Sequence, residues 1–149
     1  MIIRPATRDD LTAIVTLLAD DPLGAAREDL GPPLADSYHT AFDAVHADPN
    51  QCLVVAEDNG SVVGTLQLTL TPGLSRKGAL RGTIEAVRVH ATCRSRGLGA
   101  RLIDWATDEA SRRGCVLMQL TTDASRNAAH RFYDRLGFTP SHIGYKKLL

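Results

Sequence analysis

Arg94-Ser95-Arg96-Gly97-Leu98-Gly99-Ala100 is the segment whose residue types and spacing point most directly to chemistry, and that chemistry is the binding of an anion. Glycines let a backbone approach an anion closely. The first N–H groups of a following helix have no partner inside it and point at whatever sits before them. The helix dipole adds a partial positive charge there, and Arg94 and Arg96 add full charges on bidentate donors suited to phosphate. The spacing is not the dinucleotide pattern G-x-G-x-x-G, because Leu102 stands where the third glycine belongs, and no G-x-x-x-x-G-K-[ST] is present. Taken alone, the same residues also describe a glycine-containing helix start with solvated arginines.

The turn needs a strand before it and a helix after it, and the flanking periodicity supplies both. Thr83–Val89 reads as a strand, and Leu98–Arg113 as a helix with Leu102, Trp105, Ala106 and Ala110 on or near one face, stopped by Gly114. Upstream, Met1–Arg4 is a short strand, and Thr7-x-x-Asp10 resembles a capping box opening a helix with Leu11, Ile14, Val15 and Leu18 on one face. Asp20 to Pro33 is an irregular acidic loop. Tyr38, Phe42 and Val45 mark a second helix that Pro49 ends. CLVVAE, the turn Asp58-Asn59-Gly60-Ser61 and VVGTLQLTL form a hairpin, and residues 72–82, glycine-rich and basic, are expected to be loop. Val116–Thr121 is a strand, Ser125–Leu136 a helix ended by Gly137, and the tail from Ser141 is expected to be a last strand. The order β-α-α-β-β-β-α-β-α-β is a mixed α/β (α+β) arrangement in one domain spanning 1–149.

Composition bounds the function classes. At 149 residues, 44% hydrophobic and 23% charged, the chain has the balance of one soluble globular domain. No apolar run is long enough for a membrane span and MIIRPATRDD does not read as a signal peptide. Cys52, Cys93 and Cys115 are odd in number and form no C-x-x-C, which argues against a disulfide framework or a metal site and points to a reducing cytoplasm. The zero net charge hides a partition. Residues 1–60 hold eleven acids and three bases (net −8), and residues 61–149 hold six acids and fourteen bases (net +8). Such halves either present themselves to ligands of opposite charge or attract each other across the fold. The basic residues are not interleaved with aromatics, which speaks against nucleic acid.

Arg94-x-x-Gly97-x-Gly99 after the strand IEAVRV resembles the pyrophosphate-binding motif of the GNAT superfamily of acetyl-CoA-dependent N-acetyltransferases. Ala129-His130-Arg131-Phe132-Tyr133-Asp134-Arg135-Leu136-Gly137-Phe138 is similar to that family's A-x-x-x-Y-x-x-x-G-F element. The resemblance covers essentially the whole chain and is weakest over residues 20–50. It implies a mixed, mostly antiparallel central sheet flanked by helices, and acetyl-CoA as co-substrate with no metal. Residues 94–100 (Arg94, Ser95, Arg96, Gly97, Leu98, Gly99, Ala100) would cradle the coenzyme pyrophosphate. Val87, Arg88 and Val89 would present strand backbone to the acetyl carbonyl and pantetheine arm, the valine side chains being ordinary core. Tyr133 matches the tyrosine that commonly protonates the departing thiolate, since a phenol's pKa lies near a thiol's. Glu85 lies where many members carry a general base. Plain strand alternation puts it on the face of Val87 and Val89, where partial burial would strengthen it, although a β-bulge would shift that alternation. The family's usual Asn, seven residues before the tyrosine, is here Arg126, with Asn127 one residue later; either is a candidate coenzyme or substrate contact. Cys93 has no matched role and reads as a small apolar filler.

The resemblance implies direct attack of a primary amine on the thioester in a ternary complex. The acidic segment with Asp20, Asp21, Glu28, Asp29 and Asp36 would favour a cationic amine. The run HRFYDRLGFTPSH-x-x-x-KK also looks like that of bacterial aminoalkylphosphonate and aminoglycoside-type acetylases. An anionic phosphonate would need Arg76, Lys77, Arg81 or Arg126 to reach the acceptor. Three readings stay open: a small-molecule amine N-acetyltransferase, a protein N-terminal or lysine acetyltransferase, and a non-catalytic acetyl-CoA-binding regulatory module. A homodimer is common in the family.

Overall fold

The chain's first structural commitment is electrostatic. In the computed structural model, which describes all 149 residues, β1 (Ile2–Pro5) ends at a single 3-10 turn, Arg8–Asp10, that leads into α1 (Leu11–Ala19). Asp10 is 6% exposed. It accepts from the Thr7 amide at 2.7 Å and the Thr7 hydroxyl at 3.0 Å, closing the return half of the expected capping box. The Arg4 guanidinium meets it at 2.7 and 2.9 Å and reaches Glu57, on the neighbouring strand, at 2.7 Å. The start of α1 is thereby tied to the edge of the sheet.

A short α2 (Pro22–Ala25) and α3 (Asp36–Ala47) follow. The Tyr38 hydroxyl, on α3, donates to Glu28 and accepts from the Asp29 amide, both at 2.9 Å, so the acidic loop is pinned rather than loose. β2 (Gln51–Asp58) and β3 (Ser61–Pro72) form the expected hairpin, with Asn59 and Gly60 both at positive φ. After a one-turn α4 (Ser75–Gly78), β4 (Leu80–Val89), α5 (Leu98–Arg112), β5 (Cys115–Leu120) and α6 (Asn127–Arg135) complete the fold. The sheet order is β1-β2-β3-β4-β5, antiparallel throughout except for the parallel pair β4–β5.

Alternation in the strands divides the core between two faces. Val54, Ala56, Leu66, Leu68 and Ile84 face Leu98, Leu102, Ile103, Ala106 and Ala110 of α5, each buried leucine contributing roughly 2 kcal/mol of transfer energy. On the other face Val55 meets Ala6, Leu11, Ile14 and Phe42. Cys93 is buried in the α5-side core, the filler the sequence suggests.

Two expected elements differ. The loop expected over 72–82 is shorter, because Pro72 pairs with Leu80, Thr71 with Arg81 and Leu70 with Gly82. Gly82 serves packing: a Cβ there would lie 3.3–3.5 Å from Leu68, Ala110 and Met118. The tail from Ser141 forms no strand and lies exposed. It passes β5 near Thr121, but Pro140 and Gly144 interrupt its strand character, and without a ladder nothing offsets the entropy of extension.

The Arg4–Asp10 pair gives a stability prediction. Hydrogen bonds from Arg4, outweighing burial, hold the Asp10 carboxyl down to about 2 from its ordinary 3.8. A depressed carboxyl stabilises the fold above its unfolded pKa and loses that contribution as pH falls through the folded one. Asp10→Asn should cost about 2 kcal/mol at pH 7. In urea titrations the gap between wild type and variant should close between pH 4 and pH 2.

Candidate active site

A bulge in β4 builds the site. Gln67 of β3 pairs with Glu85, yet Thr65 pairs with Arg88, so β4 spends an extra residue opposite Leu66. Ala86 takes the strain at φ 53. Before the bulge Ile84 faces the α5 core; after it Val87 and Val89 do. Glu85 therefore does not share a face with the valines, as unbroken alternation would have it, but lies on the opposite face with Arg88. It is also exposed rather than partly buried, and it makes no hydrogen bond or ion pair. Burial consequently gives no support to Glu85 as a base.

The bulge also ends the pairing of β4 with β5, whose last partners are Ile84 and Leu120. Beyond them one edge of β4 is open. The His90 amide donates to Val63 at 2.9 Å, and antiparallel alternation then turns the Val89 backbone away from β3, toward the open side. The carbonyl of Val89 accepts from Arg94 Nε at 3.1 Å and that of Val87 from Arg88 Nη1 at 2.9 Å.

The glycine turn sits at the end of this opening. Ser95 (φ 62) and Gly97 (φ 78) are left-handed. No amide from Ser95 to Ala100 has an acceptor within the chain; the first helical bond runs from the Arg101 amide to Gly97 O at 3.1 Å. A Cβ on Gly97 would meet nothing within 4 Å, whereas one on Gly99 would meet Phe132 at 3.1 Å. Gly97 thus supplies conformation and Gly99 supplies the close approach of α5 to α6. A row of free amides at a helix N-terminus with exposed Arg96 beside it fits a pyrophosphate. Arg94 is differently placed: it binds the Asp20 carboxylate at 2.6 Å and the Asp20 carbonyl at 3.1 Å. Its side chain latches the turn to the end of α1 instead of facing an anion.

Tyr133 stands across the opening on α6. Its ring packs edge-on against Phe132 and Phe138, at centroid distances of 5.1 and 5.8 Å. Its hydroxyl has no hydrogen-bond partner in the chain. Burial raises the phenol's pKa, while the charges of Arg88 and Arg126 pull it the other way. Arg126, just before α6, grips Asp21 through Nη2 at 2.8 and 2.9 Å, and Arg88 Nε approaches the same carboxylate to 3.6 Å. Burial pushes Asp21 upward, but the Gly24 amide and the two arginines together hold its carboxyl below the ordinary range. Asn127 opens α6, exposed, with its side-chain amide unbonded.

The site thus gathers the free amides of 95–100, the open backbone of Val87 and Val89, and Tyr133. Asp21 is the residue here whose connections the sequence conceals: it appears there only as one of several loop acids, and its partner Arg126 lies 105 positions away.

The chain matches the Acetyltransferase (GNAT) family over residues 12–138. It is 31% identical over 147 residues to aminoalkylphosphonate N-acetyltransferase of Salmonella typhimurium, covering 99% of this chain and 90% of that one. A crystal structure from Bacillus halodurans C-125, described as a transcriptional regulator, is 47% identical with a TM-score of 0.97 over 99% of both chains. AAC(6')-Iy, in complex with the bisubstrate analog CoA-S-monomethyl-acetylneamine, shares the fold at 18% identity, with a TM-score of 0.80 over 99% of this chain and 98% of that one.

The two glycines separate experimentally. Gly97→Ala should destabilise by about 1–2 kcal/mol through left-handed strain, and Gly99→Ala by about 1 kcal/mol or more through overpacking on Phe132. Truncating Phe132 to Leu should rescue the second variant and not the first, as read from thermal unfolding of wild type, Phe132→Leu, and each glycine variant with and without it. With the motif, the splayed strands and the matched length together, the chain belongs to the GNAT family of acetyl-CoA-dependent N-acetyltransferases.

Proposed function

We propose that the chain transfers the acetyl group of acetyl-CoA to a primary amine of a small molecule, by direct attack in a ternary complex. The observation that carries this is the unpaired edge of β4 between the free-amide turn and an unbonded tyrosine hydroxyl. Acetyl-CoA supplies the acyl group as a thioester. Amides 95–100 and Arg96 hold its pyrophosphate. The outward N–H groups of Val87 and Val89, whose carbonyls are already occupied, are donors for the pantetheine arm and the acyl oxygen. Tyr133 holds a proton for the leaving sulfur; because burial raises its pKa, it stays protonated throughout the physiological range. Glu85 takes the ammonium proton through solvent, from the face it shares with Arg88.

Two consequences follow for kinetics. Tyr133→Phe should lower kcat by about 100-fold, while acetyl-CoA still raises the Tm as it does for wild type. Any alkaline loss of activity owed to Tyr133 should fall above pH 10, since a raised acid keeps its proton longer.

A second reading is favoured by one comparison, the 47% identical protein described as a transcriptional regulator. In that reading acetyl-CoA binds without turnover, and Tyr133→Phe changes nothing measurable. Thiol release against an amine panel separates the two. We also assign a homodimer, supported by the exposed Ile143, Tyr145 and Leu148 of the tail and by Val116 beside the free edge of β5. Sedimentation should give twice the 16.1 kDa chain mass and the single mass after removal of residues 141–149.

A further inference from the structure

Of the ion pairs in the molecule, those joining the acidic first 60 residues to the basic remainder all end on Asp20 or Asp21: Arg94 with Asp20, and Arg88 and Arg126 with Asp21. The acids nearest the opening are therefore already neutralised. What they leave behind is the opposite of a cation site. Around Asp21 two guanidinium groups face one carboxylate, with Glu28 the next acid near enough to act on Arg88. Arg126 uses only Nη2 toward Asp21, and Arg88 uses only Nη1, toward the Val87 carbonyl. Arg88 Nε is buried and 3.6 Å from the Asp21 carboxylate, too far for a hydrogen bond, so this donor is left incompletely satisfied.

Both guanidinium groups lie close enough to Tyr133 to act on its phenol. Arg88 shares a face of β4 with Glu85. By contrast Arg76, Lys77 and Arg81 belong to the far end of β4; Arg81 is about 17 Å from the bulge at the rise of an extended strand. The cationic donors at the acceptor opening are thus Arg88 and Arg126, and Asp21 fixes their orientation.

We propose that the acceptor amine carries an oxyanion, bound by the free donors of Arg88 and Arg126, with Asp21 as the residue that positions the two arginines. This rests on the acetyltransferase reading and names its substrate class: a short primary amine bearing a phosphonate, phosphate or carboxylate. A guanidinium pair suits such a group because each fork offers parallel N–H donors to two oxygens. A polyamine carries no oxyanion for such a pair to bind.

The test compares matched amines by thiol release: 2-aminoethylphosphonate and β-alanine against ethanolamine and putrescine. The expected result is a kcat/KM at least tenfold higher for an anionic member than for ethanolamine, with putrescine lowest; phosphonate against carboxylate identifies the oxyanion. That ratio should collapse in Arg126→Gln and partly return in Arg126→Lys, mainly through KM. Methylphosphonate, which has no amine, should inhibit competitively against the amine and raise the Tm of wild type but not of Arg126→Gln. Preference for ethanolamine or putrescine, with no methylphosphonate binding, would overturn the proposal while leaving acetyl transfer intact. No turnover of any amine, together with Arg126-dependent methylphosphonate binding, would instead remove the acetyltransferase reading and keep the oxyanion site. Absence of both overturns the proposal as well. The wild-type comparisons stand even if a variant fails to fold.

Discussion

Ala86 is held at φ 53, a conformation that costs an L-residue of order 1–3 kcal/mol, and the rest of the site depends on it. One extra residue in β4 does three things at once. It ends the ladder with β5 after Ile84, which opens an edge of backbone in the middle of the sheet. It moves the core-facing set from Leu80, Gly82 and Ile84 to Val87 and Val89, so the opening keeps an apolar wall continuous with the α5 core. And it turns Arg88 onto the face that Glu85 already occupies, toward Asp21 at the start of α2. The strain is sustained because Leu66 and Leu68 of β3, both fully buried, fix the partner strand.

The charge partition finds its structural meaning at the same place. Attraction between the two halves of the chain is real, but it is concentrated on two neighbouring aspartates instead of spread over a surface. Asp20 fastens the end of α1 to Arg94, and so to the carbonyl of Val89 and the glycine turn. Asp21 fastens the start of α2 to Arg126, and so to α6. The elements that would hold coenzyme, acceptor and acid are joined through these two side chains. Asp21 is only 20% exposed and its partners 23% and 30%, so screening by salt is weaker there than at the exposed Arg8–Asp43 pair.

Where the sequence was readable, the governing interactions were local. Asn59-Gly60 demands its turn because both positions need positive φ, and Leu98, Leu102 and Ala106 mark their own helix face. The anion turn is legible for the same reason, since its free amides follow from a helix start and a glycine. Other features depended on residues far along the chain. Gly82 looks like loop until Ala110 and Met118 are placed beside it. Glu85 is assigned to the wrong face because a bulge is set by pairing with β3, which the residues of β4 do not encode. Arg94 resembles a phosphate ligand until Asp20 is seen to occupy it, and the tail's apolar residues suggest a strand although no ladder receives them. Of the acids of the 20–36 loop, Asp20 and Asp21 are bound by arginines far along the chain, which their own neighbourhood in the sequence does not reveal.

Tyr133 and the arginines are coupled through charge, and the coupling has a direction. With the pocket empty, Arg88 and Arg126 favour the phenolate and partly offset what burial does to the phenol. An oxyanion seated on them would cancel part of that positive field, and burial would then dominate. The phenol would hold its proton more firmly while the acceptor is bound. A thioester sulfur is too weak a base to take that proton and gains basicity only as it becomes a thiolate, so the proton moves only once the carbon–sulfur bond is breaking. The same two side chains would in this way select the acceptor and keep the acid charged with its proton until the acceptor has reacted, a dual role that Asp21 makes possible by holding them together without saturating their donors.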